Sequence, residues 1–469
     1  METSQQTVTV KTHPFDIRDR IGYMLGDTGN NFTFVIVSSF FMIFCTNVLG
    51  LTGAQVGLAF LIARFVDAIA DVTVGRLVDN SSLHKKGRFA PWMDRMKWPL
   101  LITVILMYAP FIRHFALTLR LCYVYIIYIL WGIFYSSVNI PYGSMASAIS
   151  DKPDDKTSLS TFRSMGSALG NMCVSYIVPM MIYVGVSKQV SGNRFFMCAV
   201  ICAVLGYFCY TITTNLTTER IRTHKTEKVP LRGLMKGILK DRALIALILI
   251  DMTLVISLMM NGTTFTYLFN TYFNNKAALS LCLILNTAVT FILAPFSRWL
   301  TKTFGRKECT MAGLVIAIIF YSALLLVHTH SVVLFIILNF FGTIGMGVFN
   351  LMVWAFITDV TDNHEIITGT REDGVVYGIN SFARKVAQAI AGGAGGFLLS
   401  IIGYKSSTTG GVVQTATVAN KLYDIAVLVP LVCSSIAFLL LLVYPLNKKR
   451  VNENAEKLAA IHAQNAKNK

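Results

Sequence analysis

Twelve times along this chain an apolar run approaches or exceeds the length a helix needs to cross a bilayer, about 20 residues. The runs fall near residues 22–49, 54–78, 97–112, 119–149, 158–186, 193–216, 243–270, 277–300, 308–328, 331–358, 374–403 and 419–445. Lipid offers the backbone no hydrogen bonds, so runs of this length must close their own bonds as helices. The expected fold class is an all-α integral membrane protein with twelve transmembrane helices. Composition agrees, since only 14% of residues are charged against about 25% in a soluble domain.

The longest polar gap, Thr217 to Arg242, divides the runs six and six. It predicts an N-terminal six-helix bundle over 1–216, a central cytoplasmic loop over 217–242, a C-terminal six-helix bundle over 243–446 and a tail over 447–469. The tail is polar and mixed, which fits a short cytoplasmic helix or disorder. The halves echo each other. Ser147-Ala148-Ile149-Ser150-Asp151 ends one predicted helix, and Thr161-Phe162-Arg163-Ser164 lies in the next. Six helices later, Ala355-Phe356-Ile357-Thr358-Asp359 is followed by Ser381-Phe382-Ala383-Arg384-Lys385. Two pseudo-symmetric six-helix bundles are the architecture of major-facilitator transporters, which bind solute between the halves near the bilayer midplane.

The net charge of +17 would point to nucleic acid in a soluble protein. Here its placement gives another reading. Of the 41 Lys and Arg, 29 lie on the N-terminus, the C-terminal tail and the connections on that same side, and 7 on the opposite set. The positive-inside rule then puts both termini in the cytoplasm of a multi-pass cell-membrane protein, with no nucleic-acid partner implied. The first 21 residues are polar and carry no cleavable signal pattern. The nine cysteines are scattered without CxxC spacing and read as small apolar helix residues.

One stretch stands out, Leu58 to Trp92. Its apolar first half carries Arg64, Asp67 and Asp71. A charge at bilayer depth costs about 2.5 to 3.5 kcal/mol on insertion scales. Asp67 and Asp71 are four apart, so a helix stacks their carboxylates on one face, and Arg64 sits three residues before Asp67 on that face. Two acids beside one base leave the group short of one positive charge, which Na⁺ or H⁺ would supply. A structural ion triplet that orients the helix is the plain alternative.

The run ARFVDAIADVTVGRLVD followed by GRFAPW resembles the glycoside–pentoside–hexuronide:cation symporters. So do Gly26-Asp27-Thr28-Gly29-Asn30-Asn31-Phe32, Val138-Asn139-Ile140-Pro141-Tyr142-Gly143, and Gly369-Thr370-Arg371-Glu372-Asp373-Gly374 leading to Ser381-Phe382-Ala383-Arg384-Lys385. The likeness spans essentially the whole chain. It implies a bacterial importer moving a sugar with Na⁺, Li⁺ or H⁺, with the cation at Asp67 and Asp71. The melibiose permease of that family has an asparagine just before the second acid, where this chain has Ala70. The loss of that oxygen favours H⁺, because one of two neighbouring carboxylates can hold a proton; backbone and helix 4 side chains completing a Na⁺ shell is the other reading.

On the sugar side, the resemblance maps two aspartates of the melibiose carrier onto Asn31 and Asn139. Amides keep hydroxyl recognition but lose the charge. Arg163 and Lys385 remain as cations near the cavity, which suits an anionic sugar, and Arg can grip a carboxylate with two prongs. A glucuronide or other hexuronide is therefore the leading substrate, with neutral pentosides or disaccharides such as xylosides and galactosides as the alternative. Asn380 and Ser381 lie about one turn before Lys385. Asn350 and Trp354 are four apart on helix 10. Tyr142, Tyr135 and Trp354 can stack on sugar or anchor at the interface. Lys385 has a second role open to it, together with Arg64: neutralising Asp67 and Asp71 when no cation is bound.

Asp251 lies inside helix 7, where an acid is either functional or held by a partner such as Arg384. His114, His328 and His330 are expected to meet solvent. His364, with Asp359, Asp362 and Glu365, reads as a solvated acidic turn pairing with Arg371 or the basic loops, which themselves can latch a gate or set topology.

An enzyme is not expected, since no GxSxG, HExxH or Gly-rich phosphate loop appears. No gap is long enough for a soluble sensor domain. A lipid or lysolipid symporter is a further alternative. No cofactor is expected beyond the co-transported cation, and the partners are a sugar and the bilayer, with a monomer expected.

Overall fold

The computed structural model describes residues 13–79, 81, 84, 86–150, 153–184, 189–220, 241–368 and 373–467. The bulk of the central loop and the Gly369–Glu372 part of the GTRED motif lie outside the described residues. Among these residues twelve long helices run in sequence: α1 (Ile17–Asn47), α2 (Gly53–Asp79), α3 (Phe89–Met107), α4 (Leu117–Ile149), α5 (Pro153–Ile182), α6 (Gly192–Leu216), α7 (Arg242–Thr271), α8 (Lys276–Thr303), α9 (Arg306–Val327), α10 (Val332–Thr368), α11 (Asp373–Ile401) and α12 (Ala416–Val443). A thirteenth, α13 (Lys448–Lys467), forms the tail. A two-residue hairpin, β1 (Tyr183–Val184) with β2 (Gln189–Val190), joins α5 to α6.

Among the described residues, nine helices are long and apolar enough to cross a membrane on composition alone. The other three long helices of the bundle are α2, α3 and α11. Charges interrupt their apolar runs, yet they pack fully into it: α2 against α4 and α11, α3 against α4 and α6, α11 against α2 and α7. The packing repeats with a period of six helices. The pairs α1–α5, α1–α6, α2–α4, α3–α4 and α3–α6 recur as α7–α11, α7–α12, α8–α10, α9–α10 and α9–α12. The two sets meet through α2–α11, α5–α8 and α1–α7.

Helix boundaries depart from the apolar runs where polar residues find partners. α3 starts at Phe89, eight residues before its run. Its polar first turns are satisfied, because Lys97 reaches Asp94 at 2.5 Å and Thr211 of α6 at 2.9 Å. α10 runs ten residues past its expected end. There Asp359 pairs with Arg306, which is the expected pairing with a basic loop. His364 is not solvated as expected. It is buried, with Nδ1 3.4 Å from the carboxylate of Asp241, the N-cap of α7. His328 and His330 also do more than meet solvent: His328 lies 3.3 Å from Asp424, and His330 stacks on Tyr272.

The helix-interior prolines Pro99, Pro141, Pro179, Pro295 and Pro430 each leave the carbonyl four residues back without its donor, and at Pro141 and Pro179 a side chain takes it up. Pro141 frees the carbonyl of Ser137, which accepts the indole N–H of Trp92 at 3.0 Å. Pro179 frees that of Ser175, which accepts Ser280 Oγ–H at 2.8 Å. The first bond ties the GRFAPW turn to α4. The second crosses between the two helix sets.

The bonds between the sets gather at the end of the bundle where α1 joins α2. The α11–α12 connection lies across α1 there: Ser407 N–H donates to the Thr46 carbonyl and Gly410 N–H to that of Asn47, both at 2.8 Å. Thr46 Oγ1 meets Tyr267 at 2.8 Å, and the Ala54 N–H donates to Ser400 at 2.8 Å. Gly53 and Gly57 let α2 touch α11 backbone to backbone, since a Cβ on either would stand 2.6 or 2.7 Å from a carbonyl of Gly396 or Gly393.

Candidate functional site

Among the described residues, three ion-paired groups lie within the apolar runs. The first is on α2. Arg64 Nη1 lies 3.2 Å from Asp67 Oδ2, the i, i+3 pair expected from the spacing. Asp71 Oδ2 is bonded to Lys385 of α11. Asp71 is therefore ion-paired across the bundle, by a base from the other helix set. Each carboxylate has one oxygen in an ion pair. The other oxygen, Oδ1 in both, is buried with no hydrogen-bond partner among the described residues. An unsatisfied buried acceptor costs about 1 to 3 kcal/mol, more when charged. Gly132 of α4 packs directly on Asp67, and any side chain there would run into its carboxylate. Ala70, between the two acids, is buried and brings no oxygen.

The second group joins α1, α4, α5 and α6. Arg163 Nε donates to Asp27 Oδ1 at 3.2 Å. Asn31 Nδ2 donates to the Asp27 carbonyl at 2.9 Å and to Ser167 at 3.1 Å. Asn139 accepts from Asn30 at 3.3 Å, and Asn30 accepts from Tyr210 at 3.0 Å. Arg163 rides over the ring of Tyr142 at 5.4 Å, its side chain still 40% exposed. Tyr142 itself is fully buried, with its hydroxyl donated to the Tyr23 carbonyl at 2.7 Å. It is a platform for Arg163 rather than an open sugar-stacking surface. Tyr135 is half-buried in an aromatic group with Phe34 and Trp131.

The third group lies between α7 and α11. Asp251 is 2% exposed. It accepts from Asn380 at 2.9 Å and from Arg384 at 3.0 Å. Arg384 is thus its structural partner. Asn380 was expected to face the cavity beside Lys385. It is instead buried on the α7 side of α11, because its amide is taken by Asp251. Asn350 is exposed on α10, with no hydrogen bond among the described residues to any of these groups. The side chains of Trp354 and Ser381 lie outside the described ones.

The structure therefore brings Asn31, Asn139, Arg163 and Tyr142 together, and Arg64, Asp67, Asp71 and Lys385 together. Sequence reasoning missed two participants. Asp27 was visible in the GDTGNN motif, but its pairing with Arg163 spans 136 residues. Gly132 carries no chemistry of its own, and only the approach of α2 to α4 reveals it. A cavity of about 330 Å³ at the base of α9 is lined by Arg306, Lys307, Lys448 and Asp359. It lies apart from these groups, and its bases are held by Asp359 and by the carbonyls of Tyr444 and Thr303.

Comparison with known proteins places the arrangement. A glucuronide carrier protein homologue of Escherichia coli (strain K12) is 28% identical over 438 residues, covering 93% of this chain and 94% of that protein. An isoprimeverose transporter of Lactiplantibacillus pentosus is 26% identical over 436 residues, covering 92% and 89%. A putative 2,3-dihydroxypropane-1-sulfonate exporter of Salmonella typhimurium is 28% identical over 473 residues, covering 98% of each. Among solved structures, a bacterial homologue of the human lysosomal transporter Spinster, inward-facing, matches with a TM-score of 0.66 at 13% identity, covering 91% of this chain and 96% of that one. That likeness speaks to fold alone. The model of the MFS/sugar transport protein family matches residues 22–448. Its twelve-helix repeat, its buried ion pairs and this match together make the chain a multi-pass membrane transporter, not an enzyme, and a member of the MFS/sugar transport protein family.

Proposed function

We propose that this chain is a cation-coupled symporter that imports a glycoside by alternating access. One observation carries the reading: Asp67 and Asp71 each keep a buried Oδ1 without a partner among the described residues, while Oδ2 of one is held within its own helix and Oδ2 of the other by Lys385 from the opposite half. A cation entering at the two free oxygens satisfies them and competes with Lys385 for Asp71. The tie between α2 and α11 then loosens as the cation binds. The bodies that rock are residues 1–216 and 243–446, joined by 217–242. With both termini in the cytoplasm, the α1–α2 end, where bonds join the two bodies, is the outer one.

The coupling ion on this reading is H⁺. Ala70 adds no ligand to the two carboxylates, and a proton needs only one oxygen. Strong stimulation of uptake by Na⁺ at fixed pH refutes that choice in favour of Na⁺.

The sugar is held by Asn31, Asn139 and Arg163, with Lys385 at the far wall and Asn350, Trp354 and Ser381 as further candidates. Arg163 is bonded to Asp27 through Nε and remains 40% exposed, which supports an anionic, hexuronide-type sugar sharing the guanidinium with Asp27. A second reading has its own support. Asp27, Asp67, Asp71 and Asp251 each pair with one base, so the interior is charge-balanced, and that favours a neutral pentoside or disaccharide. The decisive measurement is uptake into proteoliposomes of glucuronides, xylosides and galactosides under separate Na⁺ and H⁺ gradients. Accumulation driven by neither gradient refutes symport. Asp67→Asn is expected to abolish accumulation and to spare exchange.

A further inference from the structure

α11 carries two adjacent bases whose partners lie in opposite halves. Arg384 goes to Asp251 on α7 of its own half, and Lys385 goes to Asp71 on α2 of the other. Neighbours on an α-helix point about 100° apart, so the direction of one fixes that of the other. Asn380 precedes Arg384 by four residues, on the same face, and donates to the same carboxylate. Asp251 therefore grips α11 at two levels one turn apart, which opposes rotation of the helix about its axis. Its carboxylate accepts from both grips, with Oδ1 on Arg384 and Oδ2 on both Asn380 and Arg384. A negative charge buried this deeply is costly. Packing alone does not call for it, because an apolar pair of similar volume would fill the same space without the desolvation penalty.

We propose that Asp251 is a positioning residue for coupling: by holding Arg384 and Asn380 it sets the rotation of α11 that aims Lys385 at Asp71. The inference rests on the symport reading and deepens it. The Asp251–Arg384 pair stays within one half and persists through the cycle, whereas the Lys385–Asp71 pair joins the halves and breaks when the cation binds. Without the grip, Lys385 no longer competes reliably for Asp71. Solute then crosses with little dependence on the cation.

The test is the double variant Asp251→Leu with Arg384→Met, which removes both charges together and roughly conserves volume. The purified full chain is reconstituted, and two rates are measured: equilibrium exchange of the transported glycoside, and net uptake with and without the coupling cation. Exchange is expected to persist, and the ratio of net uptake with cation to that without is expected to fall at least fivefold. A purely structural role would lower both rates together and leave the ratio alone. An unchanged ratio in the double variant therefore overturns the proposal. Asn380→Ala, which removes one grip and leaves no buried charge unpaired, keeps the question answerable if the double variant does not fold. Its ratio is expected to fall about twofold, and a wild-type ratio there overturns the proposal as well. No cation stimulation of the wild-type chain overturns the symport reading and this inference with it; stimulation kept by the variants overturns the inference alone.

Discussion

Lys385→Gln tests the competition at the centre of the mechanism. The substitution removes the only base bonded to Asp71 among the described residues and keeps much of the side-chain volume. Two unit charges about 4 Å apart interact by about 4 kcal/mol at an effective dielectric constant near 20. Lys385 is 34% exposed and Asp71 17%, so solvent screening reduces this to about 1 to 2 kcal/mol. At about 1.4 kcal/mol per factor of ten, the cation should bind the variant roughly 5- to 30-fold more tightly. For a proton this means that uptake remains half-maximal at a pH about one unit higher. The assay is cation-dependent thermal stabilisation of purified protein, alongside exchange and net uptake in proteoliposomes. Exchange should continue at lower cation concentration. Accumulation should fall, because the emptied carrier no longer has a base to neutralise Asp71 on the return step. Unchanged or weaker cation binding in a folded variant would refute the idea that Lys385 and the cation compete.

Three further outcomes follow from the geometry. Gly132→Ala drives a methyl group into the Asp67 carboxylate and should weaken cation binding at least tenfold while sugar exchange at saturating cation stays within threefold; equal loss of both would point to misfolding of α4. Trp92→Phe leaves the proline-freed Ser137 carbonyl without its donor, a loss of about 1 to 2 kcal/mol, read as a lower melting temperature with cation dependence preserved. Gly57→Leu cannot keep the α2–α11 backbone contact and should favour a state open at the α1–α2 end, so maleimide labelling of a cysteine placed at Ser407 should rise several-fold from that end.

The fold was legible because lipid leaves few choices. Each apolar run became a helix, and the largest boundary shifts, at the start of α3 and the end of α10, came where Lys97 and Asp359 found partners beyond the run. The i, i+3 pair of Arg64 with Asp67 was equally readable, since helical spacing alone sets it. Contacts between helices were harder. Asp251 with Arg384 was foreseeable as two charges that each need a partner. The same fact could not tell which way α11 turns, and so Asn380 was placed on the cavity side when its amide serves Asp251. Asp27 was hidden for a related reason: with Arg163 counted as unpaired, the interior looked richer in positive charge than it is. Gly132 was invisible because its contribution is the room it leaves beside Asp67.

The junction at the α1–α2 end consists of backbone bonds from a crossing loop, a pair of hydroxyls, a serine hydroxyl on a backbone N–H and glycine touching glycine, and it uses none of the residues proposed for ion or sugar. On the proposed alternating-access cycle, editing single serines or threonines there would retune how long the carrier waits with its mouth to one side without altering what it carries.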